Sequence, residues 1–154
     1  MCGAYDNHVK DDNKFYDRFG VQTKLDSYTP HWNIHPGSMN PVILMQEHIE
    51  IKYMVWTFIP HWSKERRLKY STINARADRV MESSVYKDSF LKRRALIPAT
   101  GFFEPDKVHY HKPPFPWHYF TLKDEPVFAL AGLYDIWKDP QTEKEIYTYT
   151  IMTT

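Results

Sequence analysis

The chain has one cysteine in 154 residues and five glycines against eleven prolines. A single thiol excludes an intramolecular disulfide, so this is not a small secreted fold stapled by cystines. Scarce glycine and abundant proline argue for stiff turns rather than floppy linkers. No apolar run approaches the ~18 residues that would cross a membrane, and the first residues, MCGAYDNH, lack the basic-then-apolar pattern of a secretory signal. Repeats and low-complexity tracts are missing as well. Net charge is only +1, so any polyanion would have to be met by local rather than global positive charge. These absences predict one soluble domain in a reducing, cytoplasmic setting (nucleoid-associated if the source is bacterial), with no membrane partner; the oligomeric state stays open.

What the chain does have is aromatic residues, 16 % of the total, and a cysteine placed at position 2. If Met1 is removed, Cys2 presents an α-amine beside its thiol. The amine is less basic than a lysine amine, so a useful fraction is neutral near neutral pH, and the thiol needs only a modest push to ionise. An aldehyde meeting such a 1,2-aminothiol can form a Schiff base with the amine and then close a thiazolidine ring with the sulfur.

Local patterns predict a short helix over 11–20, capped by Asp11 or Asp12, with Phe15, Tyr16 and Phe19 as its apolar stripe and Gly20 as its stop. A loop is expected over 21–41, then strands near 42–46 and 50–57. The charged patch Lys64–Arg67 reads as a solvated face. Residues 71–77 read as extended and 84–92 as a helix, with Val85, Phe90 and Leu91 toward the core. Strand pieces at 94–98 and 101–104, a proline-rich loop over 107–116 and a strand at 117–122 follow. Residues 126–134 are apolar on both faces, as a central buried strand should be, and 145–153 forms the last strand. The sum is an α+β, strand-rich single domain.

Three stretches carry residues that packing alone does not explain. In Ile73-Asn-Ala-Arg76, Asn74 and Arg76 are two apart and share a side of an extended chain. Gly101-Phe-Phe-Glu104 sets a carboxylate after two aromatics and a glycine that permits close approach. Pro30-His-Trp-Asn-Ile-His-Pro-Gly37 is a rigid, proline-bounded loop. His109 and His111 invite a metal reading, but no cysteine pair or spaced carboxylate accompanies them; neither metal nor cofactor is expected.

In order along the chain these stretches resemble the SRAP family, the SOS-response-associated-peptidase-like proteins that crosslink themselves to abasic sites in DNA. The matching pieces are MCG at the start, the Pro30–Gly37 loop and W-x-x-x-P-x-W (Trp56 to Trp62). Ile73–Ala77 (INARA), Arg93–Glu104 (RRALIPATGFFE), Ala131–Tyr134 (AGLY) and Tyr149–Thr153 (YTIMT) complete the set. The resemblance implies a barrel-like mixed sheet with a few short helices. It makes Cys2 the nucleophile, Asn74 the residue that holds the sugar and the Cys2 amine, and Glu104 the acid–base group. Phe102, Phe103 and Pro105 around Glu104 imply partial desolvation, which favours a protonated carboxyl. Arg76 would meet a phosphate of single-stranded DNA, Trp62 and Pro36 would stack on or wedge between bases, and Thr153 is the last residue matched to the pocket. Two other readings stand beside it: an autoproteolytic cysteine peptidase, and a non-catalytic single-stranded-DNA-binding module.

The chain departs from the family pattern at Pro105, where an aromatic is usual, and at Thr57, where glycine is usual. The family's histidine motif would fall beyond Thr154, so a C-terminal segment is expected to be missing, with the strand at 145–153 left near an open sheet edge.

Overall fold

The computed structural model describes every residue except Met1, Asp12 and Thr23, and all side chains of the described residues but that of Phe15. The expectations for Asp12 and Phe15 fall there, as does the placement of Met1.

Ten strands and two short helices follow in the order β1 (Ala4–Asn7), α1 (Asn13–Phe19), β2 (His31–Ile34), β3 (Met39–Met45), β4 (Ile49–Trp56), β5 (Asn74–Arg76), α2 (Lys87–Lys92), β6 (Arg94–Ala99), β7 (Gly101–Pro105), β8 (Trp117–Phe120), β9 (Phe128–Lys138) and β10 (Glu145–Thr153). Six strands form a mixed sheet in the order β4-β3-β6-β9-β10-β5, and β10 pairs with β4 as well. That second pairing, parallel at Thr148–Val55 and Tyr149–Trp56, closes the sheet into a barrel. β5 then takes over the same edge of β10, parallel at Ile151–Asn74, Met152–Ala75 and Thr153–Arg76. β10 is therefore paired along both sides, with β9 on the other. The open edge expected for it is closed from Thr148 onward, where β4 and then β5 cover that side, and only Glu145–Tyr147 have no strand partner there among the described residues.

The second sheet, β2-β1-β7-β8, is antiparallel throughout and lays β1 over the barrel. β1 is buried along its whole length, and it brings Cys2 and Tyr5 into the core with Trp56, Tyr149 and Ile151. Its polar residues are satisfied. Asp6 accepts from the Asn33 backbone N–H, Thr100 N–H donates to the Asp6 carbonyl, and the Tyr28 hydroxyl donates to Asn7. β2 occupies part of the stretch expected to be loop. The turn that follows it passes through Gly37 at φ 91°, a backbone state that suits glycine.

The two faces of β10 serve different cores. Tyr149 and Ile151 point into the barrel, while Met152 packs outside with Phe58, Ala75 and Leu133 beneath α2. α2 is shorter than the expected helix, and Leu91 is exposed rather than buried. α1 fits its expected ends: Asp11 accepts from Asn13 N–H at 3.0 Å, and Gly20 follows at φ 65°. Lys64–Arg67 is exposed throughout. No helix among the described residues is long and apolar enough to cross a membrane.

Candidate active site

Cys2 lies where β1 enters the barrel, 4 % exposed. Its thiol donates to the Ala4 carbonyl at 3.5 Å, and its own carbonyl accepts from Asn74 Nδ2 at 2.9 Å. The chemistry expected of a readily ionised thiol is reversed here. Burial, and secondarily the negative charge of Glu104, push the Cys2 thiol up to about 12, with the Ala4 hydrogen bond opposing them. In this state the sulfur is a protonated, silent group. The same effect places the Glu104 carboxylate within electrostatic reach of the sulfur.

Asn74 is held from both sides. The Ile73 carbonyl accepts from Trp56 Nε1 at 2.9 Å and from Ile151 N–H at 3.1 Å, and the Asn74 carbonyl accepts from the Tyr86 hydroxyl at 3.2 Å. Because Ala75 faces the outer core, alternation turns Asn74 and Arg76 to the Cys2 side of β5. One amide hydrogen is committed to Cys2. Asn74 Oδ1 is buried with no hydrogen-bond partner, and so is Thr153 Oγ1 on the neighbouring strand, directly opposite Arg76. Buried polar atoms without partners are uncommon and costly; a third, Thr150 Oγ1, lies on the other face of β10, and of the three it is Asn74 whose side chain touches Cys2.

Glu104 sits half-buried on β7, next to Phe103, which pairs with Ala4 of β1. Gly101 earns its place through packing, since a Cβ there would come within 2.3 Å of the Tyr119 ring. Below Cys2, the Tyr5 and Tyr149 hydroxyls share a 2.8 Å hydrogen bond, and Asn40 Nδ2 donates to Tyr149 at 3.2 Å. Both phenols are held above their ordinary range, first by burial.

The residues expected to meet DNA are less tightly gathered. Arg76 is exposed but not free: Nε and Nη2 donate to the two Asp78 carboxylate oxygens at 3.0 and 2.7 Å. It borders a cleft of about 520 Å³ that runs from Asn74 past Arg79, Tyr70, Ser83 and Tyr86. Trp62 is 53 % exposed on a stiff turn. The flanking His61 bonds Asp135 through its backbone N–H and Nδ1, and Ser63 accepts from Trp137 Nε1. Pro36 is exposed on the β2–β3 turn, which is tied to β4 by Gly37 N–H donating to the Trp56 carbonyl at 2.8 Å. The structure thus brings Cys2, Asn74 and Glu104 together, with Thr153 on the neighbouring strand opposite Arg76. It leaves Trp62 and Pro36 on turns that leave or approach the end of β4, and couples Arg76 to a carboxylate. Trp56 is a core residue. Sequence reasoning missed Asp78, although it stands two residues after Arg76. It also missed Trp117, whose ring lies against Gly3. His109, read from sequence with His111, instead turns Nδ1 to Asp106 at 2.9 Å.

The family model for SOS response associated peptidase (SRAP) matches residues 1–154. The chain belongs to the SRAP family. Among named SRAP relatives, the abasic site processing protein YoqW of Bacillus subtilis (strain 168) is 30 % identical over 158 residues, covering 100 % of this chain and 68 % of that protein. The abasic site processing protein HMCES of Xenopus tropicalis is 29 % identical over 155 residues, covering 83 % of this chain and 46 % of the relative. The chain therefore spans about half to two thirds of the length of these relatives. A crystal structure of a protein from Bacteroides thetaiotaomicron superposes with a TM-score of 0.78 at 25 % identity, over 96 % of this chain and 67 % of that one. Another from Bordetella bronchiseptica does so with a TM-score of 0.77 at 23 % identity, over 98 % and 71 %, which speaks to the fold alone.

Proposed function

We propose that this SRAP chain processes abasic sites in single-stranded DNA by crosslinking itself to them through Cys2. The observation that carries the reading is the setting of Cys2, bonded to Asn74, within the field of Glu104, and faced by the unpartnered Asn74 Oδ1. The names of the relatives YoqW and HMCES support the same substrate class.

Removal of Met1 frees the Cys2 α-amine. A protonated amine so close to the sulfur lowers the thiol from its high value, and Asn74 Oδ1 is an acceptor for that amine. The ring-opened deoxyribose offers an aldehyde carbon. The amine adds to it, giving a carbinolamine; Glu104 protonates the departing hydroxyl, which leaves as water. Loss of water leaves an iminium; the sulfur then adds to its carbon and the thiol proton passes to solvent, closing the neutral thiazolidine. One water is released and no electrons are exchanged. Thr153 Oγ1, opposite Arg76, supplies a polar contact for the sugar or its phosphate. Arg76 meets a phosphate, and Trp62 and Pro36 give apolar surface to bases, contacts that hold a strand without reading its sequence.

The test is intact mass before and after incubation with an abasic single-stranded oligonucleotide. The expected result is protein lacking Met1 that gains the mass of the oligonucleotide less one water. A chain that lacks Met1 yet gains no mass would overturn the reading.

The ion pair with Asp78 gives a second expectation. Arg76→Ala should weaken single-strand binding about equally for all sequences and reduce the salt slope by roughly 0.7, one phosphate's share. Asp78→Asn removes the competing carboxylate and should tighten binding. Fluorescence anisotropy across a salt series measures both. A change of sequence preference at fixed salt in Arg76→Ala would show that Arg76 contacts bases instead.

A further inference from the structure

β7 and β8 pair so that Glu104 lies opposite His118. Directly opposed residues of antiparallel strands share a face, with Cβ atoms about 4.5–5.5 Å apart. That face is the one facing the barrel, since Phe102, two residues before Glu104, packs against the core holding Cys2 and stacks on Phe120, two residues after His118, at 5.2 Å between centroids. An imidazole therefore stands beside the carboxyl assigned the acid's role.

The ring is not left to swing. His118 Nε2 lies 3.1 Å from Asp106 Oδ2, and Asp106 is itself anchored. It accepts from the backbone N–H of Val108 at 3.2 Å and of His109 at 3.0 Å, and bonds His109 Nδ1 at 2.9 Å. The His109 backbone N–H first, then His118, hold the Asp106 carboxyl well below the usual carboxylate range. A carboxylate fixed on one ring nitrogen sets the tautomer and orientation of the imidazole and leaves the other nitrogen, Nδ1, to exchange protons. β8 is an edge strand with β7 as its one neighbour among the described strands, and the His118 side chain is 57 % exposed, so it is open to solvent protons. The ionisable groups around it are Glu104 on β7, Asp106 and His109 just after β7, and Cys2 beyond Glu104.

We propose that His118, oriented by Asp106, is a proton relay to Glu104. The inference rests on the reading of Glu104 as the acid in the crosslinking reaction. When Glu104 has given its proton to the departing hydroxyl, its carboxylate takes one from Nδ1 of the His118 imidazolium. The neutral imidazole then takes a proton from solvent, which balances the one the thiol releases on ring closure. His118 acts through Glu104 and is a positioning residue, not one that touches the sugar.

The experiment follows single-turnover crosslinking to an abasic single-stranded oligonucleotide between about pH 5 and 8, the range in which imidazoles change charge. It uses the wild type, His118→Gln, Asp106→Asn and Glu104→Gln. His118→Gln should be slower near neutral pH, on the order of 10-fold, a fraction of what a full acid–base catalyst supplies, and should lose one inflection of the pH profile. Added imidazole should restore much of the rate in His118→Gln and none in Glu104→Gln. Asp106→Asn should slow the reaction in the same direction and keep the inflection at a shifted position. A wild-type rate and profile in His118→Gln would overturn the relay while leaving the crosslinking reading intact. A slow His118→Gln that keeps the inflection and ignores imidazole would show a structural role and overturn it too. If His118→Gln does not fold, an Asp106→Asn variant with unchanged rate and profile overturns the relay on its own. Wild-type protein that forms no adduct overturns the crosslinking reading, and the relay with it.

Discussion

Cys2→Ala should reduce the denaturation-resistant adduct with abasic single-stranded DNA to background, the largest functional effect expected of any single substitution. Alanine keeps the freed α-amine, so a Schiff base can still form, but nothing remains to close the ring. The imine that results is hydrolysable and becomes stable only if reduced. Cys2→Ser separates the two steps further, because a hydroxyl is a far weaker nucleophile than a thiol at the same place. The measurement is a denaturing gel with and without borohydride. Adduct should be absent without reductant and partly recovered with it in both variants. A variant adduct as stable as that of the wild type would show that another residue carries the bond. The structure adds a condition. While Met1 is attached, the thiol is 4 % exposed and raised to about 12, so thiol-directed alkylation of the unprocessed chain should be slow and should quicken as pH rises.

Trp56→Ala should cost about 3–5 kcal/mol of stability, the range for removing a large buried aromatic. The indole is fully buried at the point where β4, β5 and β10 meet. Its ring lies edge-on to Tyr5 at 5.2 Å and stacks near Tyr149 at 6.3 Å, and Nε1 donates to the Ile73 carbonyl. Trp56→Phe retains most of the packing and deletes the hydrogen bond, worth about 1 kcal/mol. Urea melts measure both. Because the lost hydrogen bond is one of those that fix Asn74, Trp56→Phe should also slow crosslinking at temperatures where it stays folded. A Trp56→Ala protein that melts with the wild type would mean that the barrel closes without this side chain.

The site's chemistry was more legible in the sequence than its surroundings. Asn74 and Arg76 share a side because a strand alternates, and Glu104 follows the glycine that lets Tyr119 approach; both facts are local. β1 was not legible. Asp6 and Asn7 look like loop residues, and only distant partners, Asn33, Thr100 and Tyr28, make their burial tolerable. β2 was hidden for a related reason: three of its four residues are exposed and Asn33 takes a positive φ of 55°, so it shows no alternation. The apparent edge at β10 was an error of range. Its apolar groups on both faces were plain, but its partners β4 and β5 lie far back in the chain. Arg76 shows the converse, a local partner overlooked because the motif drew attention to a distant phosphate. His118 carries no local signal at all, since its meaning depends on which strand lies opposite.

The hydrogen bond between Tyr5 and Tyr149 joins residues 144 positions apart. On a ribosome, Cys2 is made long before β10, the strand that roofs it. Until β10 docks between β9 and the β4–β5 edge, Cys2 has no Tyr149 or Ile151 around it and no strand to hold Asn74 in register. Contacts this distant in sequence also form slowly. The surroundings of Cys2 are thus completed only once β10 has been made, and a nascent chain short of β10 carries its cysteine without the neighbours that bury it.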